Sequence, residues 1–252
     1  MKPTSVTFVF LLLVVLNETC ANAVSKLRII GGKKTTINQT KYIVSLRLKN
    51  GEFFCGGTLV AKRYVVTAAH CMEGLTARDF NVHGGVTYLN QIGVRRSVQK
   101  ISIPKSFNMK NVNMDVAVLK LDKPMTGRYI APIRLCSHRI RTNDWVKVSG
   151  WGLTHENGTR PSNQLRTVNV RMISKQKCKR DYRSVMQLSR TMMCGSVPGK
   201  KDACSGDSGG PLVHRGELCG IVSFGIGCGR KNFPGVYTTV NHVKRFIRQS
   251  MK

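Results

Sequence analysis

The sequence is poor in acidic residues, which number 12 against 41 Lys and Arg in a chain of 252 residues. The formal net charge of +29 is far above the magnitude of about 2–8 that is usual for a small soluble domain. The few acids do not cluster along the chain as a calcium-binding loop requires, so no such loop is predicted. A surface this basic is expected to attract sulfated glycans, anionic membranes or acidic proteins, and to do so less at high salt.

The sequence has no apolar run long enough to cross a bilayer, which takes about 20 apolar residues. The run Val6–Leu16 follows the basic Lys2 and precedes Ala21–Ala23. This order is typical of a secretory signal peptide. We therefore expect a signal peptide at 1–23 and a secreted, extracellular protein without a transmembrane segment.

The sequence has nine cysteines but no C-x-x-C pair, which is a common spacing in zinc sites. Cys20 lies in the predicted signal peptide, so eight cysteines remain. An even number of cysteines in an oxidising compartment favours four disulfides over a metal site.

Helical periodicity is scarce, and the sequence has no repeats, no low-complexity segment and no flexible linker. Short apolar runs are separated by Gly, Asn and Pro. Tyr42–Leu48 alternates between apolar and polar residues, which predicts a half-buried strand, and Val168–Met172 alternates in the same way. The basic segment 175–183 is expected to form a solvated loop or short helix, and 243–252 an amphipathic helix. Many short strands and one terminal helix indicate an all-β protein.

One short segment, Gly206–Pro211, surrounds Ser208 with glycines. Glycine weakens strands and helices, so this composition suggests that the backbone approaches a ligand closely. Backbone N–H groups that are not blocked by side chains can stabilise the oxyanion formed when a serine attacks a carbonyl. A tight turn that happens to contain a serine is the structural alternative. Serine also needs a base, and the base needs an orienting carboxylate.

Two further residues are candidates for those partners. His70 follows two predicted short strands and adjoins Cys71, which Cys55 could clamp. A lone histidine is more often structural than catalytic, but nothing in this stretch needs its charge for packing. Asp115 opens an otherwise apolar strand, and such an acid is rarely buried without hydrogen bonds. His70 is a suitable partner for it.

The motifs Thr-Ala-Ala-His70-Cys, Asp115-Val-Ala-Val-Leu-Lys-Leu and Gly-Asp-Ser208-Gly-Gly-Pro occur in that order. The sequence thereby resembles the chymotrypsin/trypsin family of serine proteases, and secreted insect trypsin-like enzymes in particular. The resemblance runs from Ile29 to the C-terminus. It implies two six-stranded antiparallel β-barrels, at about 29–135 and 136–240, with the site in the cleft between them and a C-terminal helix at about 241–252.

The resemblance also implies roles for individual residues. Ser208 would be the nucleophile, His70 the base and Asp115 the orienting acid, with the N–H groups of Gly206 and Ser208 as oxyanion hole. Asp202 would form the floor of a pocket that selects Lys or Arg. The remaining substrate-binding positions would be Ala203, Ser223, Gly225 and Gly235. Ala203 replaces a frequent serine, which should favour Arg over Lys, and Phe224 replaces the usual tryptophan.

The segment Ile29–Gly32 follows the basic Arg28 and by itself fits either a processing site or a strand entering a turn. The resemblance favours processing. Residues 24–28 would be an activation propeptide, and cleavage after Arg28 would free the amine of Ile29 to pair with Asp207. Because the propeptide ends in a residue that the enzyme should itself cleave, autoactivation is a further hypothesis.

The resemblance pairs Cys55 with Cys71, Cys178 with Cys194, and Cys204 with Cys228. Cys136 and Cys219 lie outside the standard family positions and are paired by elimination. The loop after His83 lacks the carboxylates of calcium-binding trypsins, so no metal and no cofactor are expected. Asn38 and Asn157 begin sequons for N-glycosylation.

The leading hypothesis is a secreted, monomeric trypsin-like endopeptidase, made as a zymogen and cleaving after Arg and Lys through an acyl-enzyme. Its expected partners are protein substrates, an activating protease, a protein inhibitor and polyanions. The alternative is a catalytically silent binding protein on a protease fold, which would hold sulfated glycans or anionic partners. Nucleic acid is not expected, because the basic residues are dispersed and are not interleaved with stacking aromatics.

Overall fold

The computed structural model describes residues 32–153, 158–195, 207–226 and 232–252. The signal peptide and propeptide predicted for 1–28 lie outside this part of the chain. So do these residues with predicted roles: Arg28, Ile29, Asn157, Asp202, Ala203, Cys204, Gly206 and Cys228.

The described residues form fourteen strands, two α-helices and two short 3-10 turns. In chain order the strands are β1 (Lys33–Lys34), β2 (Ile43–Leu48), β3 (Phe53–Ala61), β4 (Tyr64–Thr67), β5 (Phe80–Gly84), β6 (Val94–Ser102), β7 (Ala117–Leu121), β8 (Arg134–Leu135), β9 (Trp145–Gly150), β10 (Arg166–Arg171), β11 (Met192–Gly195), β12 (Pro211–His214), β13 (Glu217–Phe224) and β14 (Gly235–Thr239). The helices are α1 (Lys175–Tyr182) and α2 (Val240–Ser250), and the 3-10 turns are Ile37–Gln39 and His70–Met72. The chain is therefore mostly β, which confirms the predicted fold class.

Six antiparallel strands close into a barrel in the order β2-β3-β4-β7-β6-β5. A closed barrel leaves no unpaired strand edge in this half of the molecule. Val44 and Leu46 of β2 belong to its hydrophobic core.

The polar face of β2 is also buried, which differs from the half-buried strand that the alternation predicted. Ser45 and Arg47 are almost inaccessible to solvent. The reason is a loop that covers this face: Nη1 of Arg47 donates to the carbonyl oxygens of Leu89 (2.6 Å) and Gln91 (3.0 Å). A guanidinium thus holds the loop after His83, which lacks carboxylates.

The other strands form one sheet in the order β1-β10-β9-β12-β13-β14-β11, with β8 paired in parallel to β13. The sheet curls until an antiparallel bridge between Met172 and Gly195 joins the end of β10 to β11. In the described residues the expected second barrel is therefore a curled sheet, closed at its seam only by this bridge and a backbone hydrogen bond from Ile173 to Cys194.

Both helices begin where the local sequence favours it. Ser174 caps α1, because its Oγ accepts a hydrogen bond from the backbone N of Lys177 (3.2 Å). The basic segment is thus a short helix, and it buries Cys178 and Tyr182. Helix α2 spans Val240–Ser250, so it starts three residues before the segment 243–252 and one residue before the start at about 241 that the resemblance implied. It buries apolar residues spaced three and four apart. None of the helices in the described ranges is long and apolar enough to span a membrane.

Among the described residues, three disulfides join the same cysteines that the sequence analysis paired, while the predicted pair Cys204 and Cys228 lies outside them. Cys55 of β3 is bonded to Cys71, Cys178 of α1 to Cys194 of β11, and Cys136 to Cys219 of β13. Each bond therefore connects a strand to a neighbouring turn, helix or crossover segment.

The loop over β2 leads to a prediction about pH. Nδ1 of His83 lies 2.9 Å from the carbonyl oxygen of Ile92, and burial lowers the pKa of His83 below its ordinary value of 6.5. Below that pH the unfolded chain binds more protons at this residue, so the free energy of unfolding should fall as the pH falls from about 6.5. His83→Asn keeps an N–H donor but cannot become charged. Denaturant titrations between about pH 7.5 and 5.5 should show a smaller loss of stability in the variant than in the parent chain. Equal losses would contradict the assignment.

Candidate active site

A buried carboxylate lies at the centre of the candidate site. Asp115 lies two residues before the start of β7 and has no exposed surface. Its Oδ1 accepts a hydrogen bond from the backbone N of His70 (2.9 Å), and its Oδ2 lies 2.8 Å from His70 Nδ1. Oδ2 also accepts a hydrogen bond from the Oγ of Ser223 (2.5 Å). A buried carboxylate needs such partners, because leaving it unpaired would cost several kcal/mol or more.

These contacts fix the tautomer of His70. An ionised carboxylate only accepts hydrogen bonds, so Nδ1 of His70 carries the proton and Nε2 carries the lone pair. The imidazole of His70 is not fully buried, since 22% of the His70 side chain is exposed, whereas none of the Asp115 side chain is. The imidazole of His70 therefore keeps some contact with solvent.

The chain around His70 is held by a covalent clamp. His70 begins the 3-10 turn that follows β4, and its neighbour Cys71 is bonded to Cys55 of β3. The expected strand at Val112–Leu121 is shorter than predicted, since β7 begins at Ala117. Asp115 thus lies in the turn before β7 rather than within a strand, and from there its carboxylate reaches the backbone and the ring of His70.

The loop that carries Ser208 is anchored to both halves of the molecule. The carbonyl oxygen of Ser208 accepts a hydrogen bond from Gly56 N of β3 (2.8 Å), and Gly209 N donates to the carbonyl of Val222 in β13 (2.8 Å). Gly56 adjoins the cysteine bonded to Cys71, and Val222 adjoins the serine bonded to Asp115. The three predicted catalytic residues are thus brought to one place.

One contact of the expected triad is not formed. Nε2 of His70 lies 3.8 Å from Sγ of Cys71, and within the described ranges no hydrogen bond joins His70 to Ser208. Hydrogen bonds between a catalytic nucleophile and its base are often long without substrate and tighten in the reacting complex. The structure therefore contains the hydrogen bonds between His70 and Asp115 and holds the Ser208 loop by its backbone, but it does not contain the hydrogen bond between His70 and Ser208.

Glycine is required after Ser208 for a steric reason. Gly209 has a φ of +77°, and a Cβ there would overlap Oγ1 of Thr67 and lie 2.5 Å from the carbonyl oxygen of Gly56. Thr67 ends β4 and donates from Oγ1 to the same carbonyl (2.8 Å). A side chain at position 209 would push the serine loop away from the His70 turn.

Asp207, beside Ser208, is also buried, with 3% of its surface exposed. Its Oδ1 accepts a hydrogen bond from Gly152 N (2.8 Å). A Cβ on Gly150 or Gly152 would collide with its carboxylate. The two glycines around Trp151 therefore make room for this acid, a role that the sequence analysis missed although the Gly-Trp-Gly pattern was visible.

The structure describes three of the predicted substrate-binding residues, Ser223, Gly225 and Gly235. Ser223 is buried and Gly225, just past the end of β13, is exposed, while Gly235 begins β14 opposite Gly195. Phe224 packs edge-on against Tyr182, with ring centroids 5.9 Å apart. A further residue that the sequence analysis missed is Thr238, whose Oγ1 donates to the carbonyl oxygen of Asp115 (2.9 Å). Its only sequence signal was a threonine in an apolar strand.

A prediction follows from the steric role of Gly209. Gly209→Ala should lower the free energy of unfolding by about 2–5 kcal/mol, because it adds a clash to the strain of a positive φ. The matched control is Gly74→Ala, since Gly74 has a φ of +68° and nothing within 4 Å of its would-be Cβ. The control should lose only about 1–2 kcal/mol. Equal losses in denaturant titrations would contradict the close packing.

Several known proteins that this chain resembles in sequence or structure are named as proteases. The chain matches the sequence family described as Trypsin over residues 29–247. It is 45% identical over 227 residues to seminase of Drosophila melanogaster, covering 89% of this chain and 82% of that relative. It is 37% identical to the vitellin-degrading protease of Bombyx mori, covering 90% of this chain and 87% of the relative.

A solved structure is similar as well. Neuropsin, described as a serine protease expressed in the limbic system of mouse brain, superposes with a TM-score of 0.80 at 28% sequence identity. The match covers 88% of this chain and 99% of neuropsin. Together with the family match and the insect relatives, this shows that the chain belongs to the trypsin family of serine proteases.

Proposed function

We propose that this protein is a secreted serine endopeptidase that cleaves peptide bonds after Arg and, more slowly, after Lys. The observation that carries the proposal is the buried Asp115 bonded to both the backbone and the ring of His70, beside a serine loop anchored to the same turn. This arrangement matches the requirements for activating a serine. A silent binding protein would have no need for a buried acid that orients a partly exposed imidazole.

The first half of the proposed reaction forms an acyl-enzyme. Ser208 Oγ attacks the scissile carbonyl carbon while Nε2 of His70 takes the hydroxyl proton. The carbonyl oxygen becomes an oxyanion, which the N–H groups of Ser208 and Gly206 stabilise, each worth about 3–4 kcal/mol. Asp115 stabilises the imidazolium. When the intermediate collapses, the C–N bond breaks and His70 gives the proton to the leaving amine.

The second half regenerates the enzyme. A water molecule gives a proton to Nε2 of His70 and attacks the acyl carbon, and a second oxyanion forms in the same place. Its collapse breaks the ester bond to Ser208, and His70 returns the proton to Oγ. The product is a free carboxylic acid, and no group of the enzyme is consumed.

We assign the specificity for the residue before the cleaved bond to the carboxylate of Asp202, which Ala203 follows in the chain. Gly225 and Gly235 would leave the pocket open for a long side chain. A planar guanidinium can pair with Asp202 through two hydrogen bonds by itself. An ammonium depends more on additional oxygen partners, and Ala203 offers none. We therefore infer a preference for Arg over Lys.

We further propose that cleavage after Arg28 activates the enzyme. The new amine of Ile29 would pair with Asp207, which accepts a hydrogen bond from Gly152 in the uncleaved chain. Because Asp207 adjoins Ser208, a change in its partners would reposition the serine and the neighbouring N–H of Gly206. Supporting observations are the burial of Asp207 and the room that Gly150 and Gly152 leave around it.

The proposed setting is extracellular, with a signal peptide at 1–23 and a monomeric enzyme acting on protein substrates. The name of the vitellin-degrading relative supports a protein substrate. Asn38 is exposed and would accept a glycan. The high positive charge would draw the enzyme toward polyanions or acidic substrates, and this attraction should weaken as salt is added.

The direct test of the activity is hydrolysis of matched Arg, Lys and Phe amide substrates after controlled cleavage at Arg28. We expect cleavage after Arg, slower cleavage after Lys and none after Phe. Ser208→Ala should lower kcat about a million-fold, whereas Ser97→Ala, at an exposed serine of β6, should leave kcat unchanged. A processed, folded chain that hydrolyses none of the three substrates would contradict the proposal and favour the binding alternative.

A separate prediction concerns autoactivation. The wild-type zymogen, expressed alone, should convert itself by cleavage after Arg28, because that residue fits the proposed specificity. The Ser208→Ala zymogen should remain uncleaved until a trace of active enzyme is added. Mass spectrometry of the new N-terminus measures both rates. Processing of the variant alone at the wild-type rate would show that another protease is responsible.

A further inference from the structure

A second cluster of chemically active side chains lies at the far end of the β12–β13 hairpin. The chain after β8 runs beside this hairpin, where Cys136 N donates to the carbonyl of Leu218 (2.9 Å) and Cys136 is bonded to Cys219. Glu217 begins β13, and Ser223 lies six residues further along the same strand. At about 3.3 Å per residue, the cluster is about 20 Å from the catalytic residues.

The cluster is built around the carboxylate of Glu217. It accepts hydrogen bonds from the backbone N (2.6 Å) and the Oγ (2.9 Å) of Ser137. Nδ1 of His138 lies 3.1 Å from the same carboxylate. Because the carboxylate is an acceptor, His138 carries its proton on Nδ1, and its Nε2 presents a lone pair.

That lone pair points at a second imidazole. Nε2 of His138 lies 2.9 Å from Nδ1 of His214, the last residue of β12. His214 is opposite Glu217 in the hairpin. Two imidazole nitrogens thus face each other beside the carboxylate of Glu217, in a chain that is otherwise strongly basic.

We propose that His138 Nε2 and His214 Nδ1 together bind a Zn²⁺ ion. Histidines that bind metals usually donate their other ring N–H to a carboxylate, and His138 already donates from Nδ1 to the carboxylate of Glu217. Zn–N distances are about 2.0–2.1 Å, so the two nitrogens need to separate by only a few tenths of an ångström. His214 would exchange its proton from Nδ1 to Nε2 through water, so that no net proton is released.

The ligand types favour zinc over calcium or magnesium. Imidazole nitrogen suits Zn²⁺ and Cu²⁺, whereas Ca²⁺ and Mg²⁺ prefer sets of oxygen ligands. The sulfur atoms of Cys136 and Cys219 lie 3.9 and 3.8 Å from His138 Nε2. They are bonded to each other and therefore carry no thiolate charge. Water completes the coordination of the ion.

The two ligands are held in position before any ion arrives. The carbonyl of His138 accepts a hydrogen bond from Asn241 Nδ2 (2.6 Å), and that of Cys136 from Lys244 Nζ, both on α2. The hairpin turn at Arg215 and Gly216, both with positive φ, fixes the end of β12. A bound ion would therefore connect the crossover segment after β8 to the β12–β13 hairpin.

The experiment is a calorimetric titration of the full-length chain with ZnCl₂, using protein purified without a polyhistidine tag. The wild type should bind one ion at this site. His138→Gln and His214→Gln should each weaken that binding at least about tenfold, and Glu217→Gln about 10–100-fold. His242→Gln, at an exposed histidine of α2, and His70→Gln should leave it unchanged.

Two further measurements distinguish the loss of a zinc ligand from misfolding of the variant. Each variant should give a single cooperative unfolding transition in the presence of a chelator. Added Zn²⁺ should raise the unfolding temperatures of the wild type, His242→Gln and His70→Gln, but not those of His138→Gln and His214→Gln. Co²⁺ added to the wild type should give d–d absorption without a thiolate charge-transfer band. No binding at millimolar Zn²⁺, binding that survives both histidine substitutions, or binding lost in His70→Gln would each overturn the proposal.

Discussion

The buried hydrogen bonds of Asp115 are the constraint on which the rest of the site depends. The cost of burying a charged carboxylate away from solvent must be offset by hydrogen bonds from its neighbours. The compensation comes from the His70 turn of the closed barrel and from Ser223 of the curled sheet. Thr238 of β14 binds the backbone carbonyl of the same residue. The acid therefore orients the imidazole and also joins the two halves of the molecule.

The second constraint is steric and is met by glycine. The serine loop lies between β3 and β13 because Gly56, Gly209 and Gly210 allow their backbones to approach closely. Gly150 and Gly152 do the same around the carboxylate of Asp207. Side chains at these places would separate the serine from the His70 turn or remove the space for Asp207. The packing of the loop thus depends on residues without a side chain as much as on the triad.

The sequence pointed to the motif-bearing residues and predicted the positions of β2 and β10, because those signals are local. It could not reveal that both faces of β2 are buried, since that depends on a loop brought over Arg47 from about forty residues away. Thr238, Gly152 and the facing pair His138 and His214 were missed for the same reason. Their partners are distant in sequence. The closure of the second sheet by a bridge at Met172 also depends on tertiary contacts.

The most direct test of the account is labelling with a fluorophosphonate probe, which reacts only with an activated serine. After cleavage at Arg28, mass spectrometry should find one adduct, on Ser208. Asp115→Asn should be labelled about 10⁴-fold more slowly, because an amide facing Nδ1 leaves His70 in the wrong tautomer. An adduct elsewhere, or equal rates in the two proteins, would contradict the claim that Asp115 sets the chemistry of the site.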